Sequence, residues 1–154
     1  MAELIEYRKQ LMDRLNEAAK EFRTACLAVK DSSAPIEAGW NVHQVAVHTR
    51  DTDKLVYGVR ARRTIQEDNP EFPNFDGDAY MAEHYDAKEP LQDILSGLVS
   101  SIDELTKMLR GLSAESWTRE SRHATQGAGF TLQHWVERSL AHIEEHLATV
   151  KKVG

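Results

Sequence analysis

The chain has one cysteine and no apolar run that approaches the length of a membrane span, and each scarcity closes off a class of protein. Cys26, alone, makes no internal disulfide, and its place on an apolar helix face reads as a small buried hydrophobe rather than a nucleophile. The N-terminal MAELIEYRKQ lacks the uninterrupted apolar stretch of a signal peptide. A cytoplasmic protein with no membrane partner is therefore expected. Positive charge is also short: 19 Lys and Arg stand against 25 Asp and Glu, a net charge of -6, which argues against a nucleic-acid backbone as partner. The only basic cluster is Arg60, Arg62 and Arg63, read as complementing the dipole at a helix end. With 41% hydrophobic and 29% charged residues, a chain of 154 residues can bury a core without disulfides, and one domain over 1–154 is expected.

What is present is helical periodicity. From Ala2 to about Lys30, Leu4, Leu11, Leu15, Phe22, Cys26 and Val29 recur at helical spacing, until Asp31 to Pro35 break the pattern. Asn41 is placed to cap a second helix, in which His48 shares a face with Val45, Thr52, Leu55 and Val59 while His43 points to the other side. Pro70, Pro73 and Gly77 punctuate a long aromatic-rich connection, with a short helical turn expected near Ala79 to His84. Pro90 suits the first turn of a third helix, whose stripe runs Leu91, Leu95, Leu98, Ile102, Leu105 and Leu109 to a stop near Gly111. The stretch TRESRHATQGAGF, which includes His123, reads as a polar connection, and no β-alternation of useful length is seen. Four amphipathic helices imply an all-α four-helix bundle.

The last helix, from Thr131 to Val150, carries the chemistry. Leu132, Val136, Ile143, Leu147 and Val150 form its apolar stripe, and His142 and His146 sit at its edge, one turn apart. Imidazoles at i and i+4 reach one metal ion without bending the helix. His48 on the second helix supplies a third nitrogen, leaving coordination positions open to water and substrate, the arrangement of a catalytic metal site. Zinc is the default ion, with nickel, iron or manganese compatible with the same ligands. The competing reading is three helix-boundary histidines, each satisfied by a carbonyl, a carboxylate or water.

The segment Trp40-Asn41-Val42-His43-Gln44-Val45-Ala46-Val47-His48, followed by Leu112 to Trp117, the Thr131-Leu132 opening and the His142/His146 pair, resembles the DinB-like superfamily of damage-inducible and YfiT-related metalloenzymes. The likeness spans nearly the whole chain. It implies an up-up-down-down bundle with a long crossover between helices 2 and 3, frequent homodimers, and a divalent metal, zinc or nickel, held by His48, His142 and His146. Thiol-transferase relatives would use the metal to activate a low-molecular-weight thiol, whereas the mycothiol isomerase branch is similar but tends to place a carboxylate at the position of His142. The additional C-terminal domain of many mycothiol relatives is not expected here.

Two enzymatic readings follow: a thiol S-transferase, or a hydrolase acting on a small molecule through a metal-activated water. Asp51 and Glu145 are candidates for moving a proton, although the helical wheel turns both toward the polar face. The alternatives are a non-catalytic, stress-related dimeric bundle with a structural or incidental metal, and a small-ligand binding protein with the aromatic loop as lid.

Overall fold

A computed structural model describes residues 2–154. Helix α1, Ala2–Leu27, buries Leu11, Leu15, Phe22 and Cys26 as its spacing predicts, but Leu4, in the same stripe, is exposed and the helix stops short of Lys30. Burial pushes the Cys26 thiol up to about 12, so it is an inert packing group. Asn41 closes a reciprocal capping box with Gln44 and starts α2, Val42–Thr52. A π-helical turn, Asp53–Tyr57, joins α2 to α3, Gly58–Gln66. After the two-residue strand β1, Glu71–Phe72, comes α4, Gly77–His84, capped by Asp76. Helix α5, Leu91–Arg110, begins after Pro90 and buries Leu95, Leu98, Ile102, Leu105 and Leu109. A 3-10 turn at Ser116–Thr118 seats Trp117 beneath the guanidinium of Arg8 at 5.3 Å. Strands β2, Glu120–His123, and β3, Gly127–Thr131, lead into α6, Leu132–Lys151, whose N-cap is Thr131.

The expectation of an all-α chain is corrected by the sheet. β1 runs parallel to β2, and β2 pairs antiparallel with β3 through an irregularity at Ser121/Arg122. β2 alternates in burial, but its inward residues are the polar Ser121 and His123, so no apolar alternation marks it. The strands are held by α6 instead: Trp135 donates its indole N–H to Ser121 Oγ at 2.7 Å, and its ring packs against Phe72 and Phe130.

Long-range pairs fix the direction of each helix. Arg8 meets Gln133 and Arg14 meets Glu144, so α1 and α6 run the same way. Asp13 meets Arg110 and Asn16 meets Thr106, so α1 and α5 run opposite ways. His48 meets His142 while Asp53 meets Ser139, so α2 opposes α6. Taken as four bundle members, with α2, the π turn and α3 as the second, the order is up-down-down-up, which corrects the expected up-up-down-down. The physical reason lies in the connections: only the segment between α3 and α5 must recross the length of the bundle, and residues 67–90 are long enough to do so.

Candidate metal centre

Helix α2 presents His48, and α6 presents His142 and His146 on its inward face. His142 Nε2 lies 3.2 Å from His48 Nε2 and 3.0 Å from His146 Nε2. All three ligand atoms fall within 4.8 Å of one another. The structure thus brings together the three histidines named from the sequence. No tautomer makes this a satisfied hydrogen-bond network, because a proton on His142 Nε2 would face two nitrogens, and Nδ1 of His142 is buried with no partner. Zinc-to-nitrogen distances near 2.0–2.1 Å place ligands about 2.9–3.4 Å apart at octahedral to tetrahedral angles. The spacing of the cluster fits a shared divalent ion.

The neutral imidazoles that a metal requires are provided by the surroundings. Burial, then the neighbouring His146 and His48, push the His142 pKa down to about 3. His48 is also lowered, chiefly by burial and then by His146. The His48 ring is braced by Trp40 at 5.0 Å and has Thr52 Oγ1 3.5 Å from its Nδ1. Glu37, on the turn before α2, places Oε2 2.9 Å from His146 Nδ1 without the alignment of a hydrogen bond. That turn needs left-handed backbone at Ala38, φ 51°, and Gly39, φ 84°, and a glycine at the second position relieves half the strain.

The remaining histidines lie outside the cluster. His43 is tied to the crossover, accepting from Tyr85 Oη at Nδ1 and donating to the Glu89 carbonyl from Nε2, each at 2.6 Å. His84, the last residue of α4 rather than a loop histidine, is exposed and stacked on Tyr80. Neither candidate carboxylate reaches the site: Asp51 pairs with Arg50 at 2.9 Å and Glu145 is exposed.

Sequence reasoning missed Asp53. The π turn inserts one residue into the helical phase, so Leu55 and Val59, expected inward, are 40% and 37% exposed, while Asp53 is 1% exposed. Ser139, one turn before His142, donates to Asp53 Oδ1 at 2.5 Å. Burial raises the Asp53 pKa to about 6, against the lowering influence of Ser139 and Arg62. The Asp53–Ser139 pair ties the irregular turn of one ligand-bearing element to the helix that carries the other two.

His48 and His142 form part of the wall of a cavity of about 260 Å³. Tyr57 and Arg60 close it from one side, Phe75 and Gly77 from the crossover, and His123 from the strands. Gly77 brings the crossover close to the site: a Cβ there would stand 3.1 Å from His48 Cε1, so the ring would have to give by a few tenths of an ångström. Arg60, read as a helix-end charge, is instead 9% exposed, with its guanidinium 4.8 Å from the Trp135 ring. A larger hollow of about 420 Å³ between α1 and the end of α6 holds no histidine, and its one carboxylate, Glu21, is tied to Arg14.

A helical bundle with three clustered histidines, two of them in the wall of a cavity, defines a class of candidate metalloproteins, and comparison with known proteins places the chain within it. Residues 13–150 match the model of the DinB superfamily, and the chain belongs to that family. A Bacillus pumilus protein, provisionally named a metal-dependent hydrolase, is 24% identical over 145 residues, covering 92% of this chain and 82% of its own length. A similar solved structure is YfiT from Bacillus subtilis, described as "a probable metal-dependent hydrolase with an unusual four-helix bundle topology". It superposes with a TM-score of 0.84 at 23% identity, covering 96% of this chain and 86% of YfiT, and so shares the fold. Among the described residues no helix is long and apolar enough to cross a membrane.

Proposed function

We propose that the chain is a divalent-metal-dependent hydrolase of small molecules, with His48, His142 and His146 as the metal ligands and zinc or nickel as the ion. The observation that carries this reading is the convergence of three Nε2 atoms, 3.0 and 3.2 Å apart in sequence around the cluster, beside a cavity rather than in a sealed shell. When bound, the ion would supply Lewis acidity, lowering the pKa of a coordinated water toward neutrality. The protein's own contribution is orientation. Helices α2 and α6 fix the three rings, Trp40 and Thr52 limit rotation of His48, and the Glu37 carboxylate stands beside His146 Nδ1, where it restrains that imidazole. Phe75 and Tyr57 add aromatic surface to the cavity wall.

The open side favours catalysis over a structural metal, which would be enclosed by protein ligands. Thiol S-transfer would need the same open position and, in addition, room for a low-molecular-weight thiol beside its electrophile. The provisional name of the Bacillus pumilus relative, a metal-dependent hydrolase, supports the hydrolytic reading. With this reading go a single domain over residues 1–154, a cytoplasmic location and the homodimer that the family resemblance implies, the last to be read by sedimentation. The function itself is tested by offering small esters, amides and phosphoesters to zinc- and nickel-reconstituted protein. Turnover that disappears in the metal-free protein and in His142→Ala is expected. Thiol conjugation without any hydrolysis would contradict the proposal.

A further inference from the structure

Arg60 is a buried cation with no carboxylate partner among the described residues. Its only acceptor among the described residues is the Pro73 carbonyl, 3.1 Å from Nη2, and the faces of Trp135 and Phe72 hold the guanidinium at 4.8 and 5.8 Å. A guanidinium carries five N–H donors, so most of its hydrogen-bonding capacity is unused by the protein. A guanidinium on a cavity wall with no protein counter-charge and free N–H donors is a ready site for a ligand anion.

The rest of the cavity has the same bias. His123 accepts the backbone N–H groups of Thr125 and Gln126 at Nδ1, each at 3.2 Å, which fixes its proton on Nε2 and makes that atom a donor where the ring lines the cavity. Asn74 and Gln126 add side-chain amides. No aspartate or glutamate is among the residues that line it. His48 and His142 occupy another part of the same wall, so a ligand anchored at Arg60 can present its far end to these two histidines.

We infer that the cavity selects small organic anions, with a carboxylate or phosphoryl group held by Arg60 and His123 and the reacting group directed toward His48 and His142. This specificity rests on the proposed metal site for its catalytic meaning, but the anion subsite consists of residues that are not metal ligands. It can therefore fail or hold independently. Bidentate recognition by the guanidinium fork is the expected mode, because that geometry matches a planar carboxylate or a phosphoryl group.

The test is calorimetric titration of the zinc-loaded and zinc-free protein with benzoate, phenylphosphonate and benzamide, the last a neutral isostere of benzoate. Both anions are expected to bind, and benzamide about tenfold more weakly or worse, since a charge-assisted pair is lost. Arg60→Gln is expected to weaken benzoate about tenfold or more without changing the zinc content. His123→Gln should weaken it several-fold. Benzamide binding as tightly as benzoate, no binding of either anion, or an Arg60→Gln protein with unchanged benzoate affinity would overturn the inference. If Arg60→Gln does not fold, the benzoate-to-benzamide ratio on wild type decides by itself. Absence of zinc uptake would count against the metal reading alone, because the zinc-free titration still reports on the anion subsite.

Discussion

Replacing Asp53 with Asn should change how stability depends on pH more than it changes stability itself. The Asp53 carboxyl has a pKa near 6 when folded, raised from 3.8 by burial, so the folded protein holds that proton more tightly than the unfolded chain. A raised carboxyl pKa makes stability fall as pH rises from the unfolded value through the folded one. The full shift corresponds to about 3 kcal/mol, of which about 2 kcal/mol is lost between about pH 4.5 and pH 7.5. His142 pulls the other way: with its folded pKa near 3, stability is lost as pH falls from the ordinary imidazole range toward that value. Wild type therefore shows only the sum. Subtracting Asp53→Asn from wild type removes the histidine contribution and isolates the carboxyl. Urea unfolding with chelator present, so that no divalent cation favours the ionised form, should show the variant gaining about 2 kcal/mol on wild type as pH rises across that window, or roughly 4–8 °C in Tm. A constant offset at both pH values, from the buried amide alone, would refute the reasoning and mean that Asp53 is ionised throughout.

Three further substitutions probe the site and its supports. Glu37→Gln should weaken zinc affinity about 10- to 100-fold in competition with a chromophoric chelator, since it removes the carboxylate 2.9 Å from His146 Nδ1; unchanged affinity would dismiss Glu37 as an orienting group. Gly77→Ala places a Cβ 3.1 Å from His48 Cε1 and should lower zinc affinity in the same assay while leaving helix content unchanged. An affinity equal to wild type would show that the crossover yields instead. Trp135→Phe loses the 2.7 Å bond to Ser121 and part of an aromatic contact, so unfolding should reveal a loss of about 1–3 kcal/mol with zinc content preserved.

The histidine cluster was legible because it lies where helical phase is undisturbed. His48 precedes the π turn by five residues, and His142 and His146 sit in the uninterrupted α6, so wheel positions hold for all three. Beyond Thr52 the wheel fails: a single inserted residue sends Leu55 and Val59 outward and Asp53 inward, and nothing local in the sequence marks that insertion. The sheet was hidden by length, since β1 has two residues and its partner β2 is a remote segment. Face patterns also carry no information about direction. That α1 parallels α6 emerges only from pairs such as Arg14 with Glu144. Arg60 and Glu37 were overlooked for a related reason, because a charge near a helix end or in a turn is usually solvated, and only the packing of α6 and the crossover around them makes one a buried cation and the other a neighbour of His146.

The most direct measurement is metal content by plasma mass spectrometry on tag-free protein, wild type beside His48→Ala, His142→Ala and His146→Ala, with folding checked by circular dichroism. About one divalent ion per chain in wild type, lost in each variant while the helices remain, is the predicted result. A wild type that stays metal-free when zinc or nickel is supplied, or variants that keep full occupancy, would contradict the assignment of the three histidines as the metal centre.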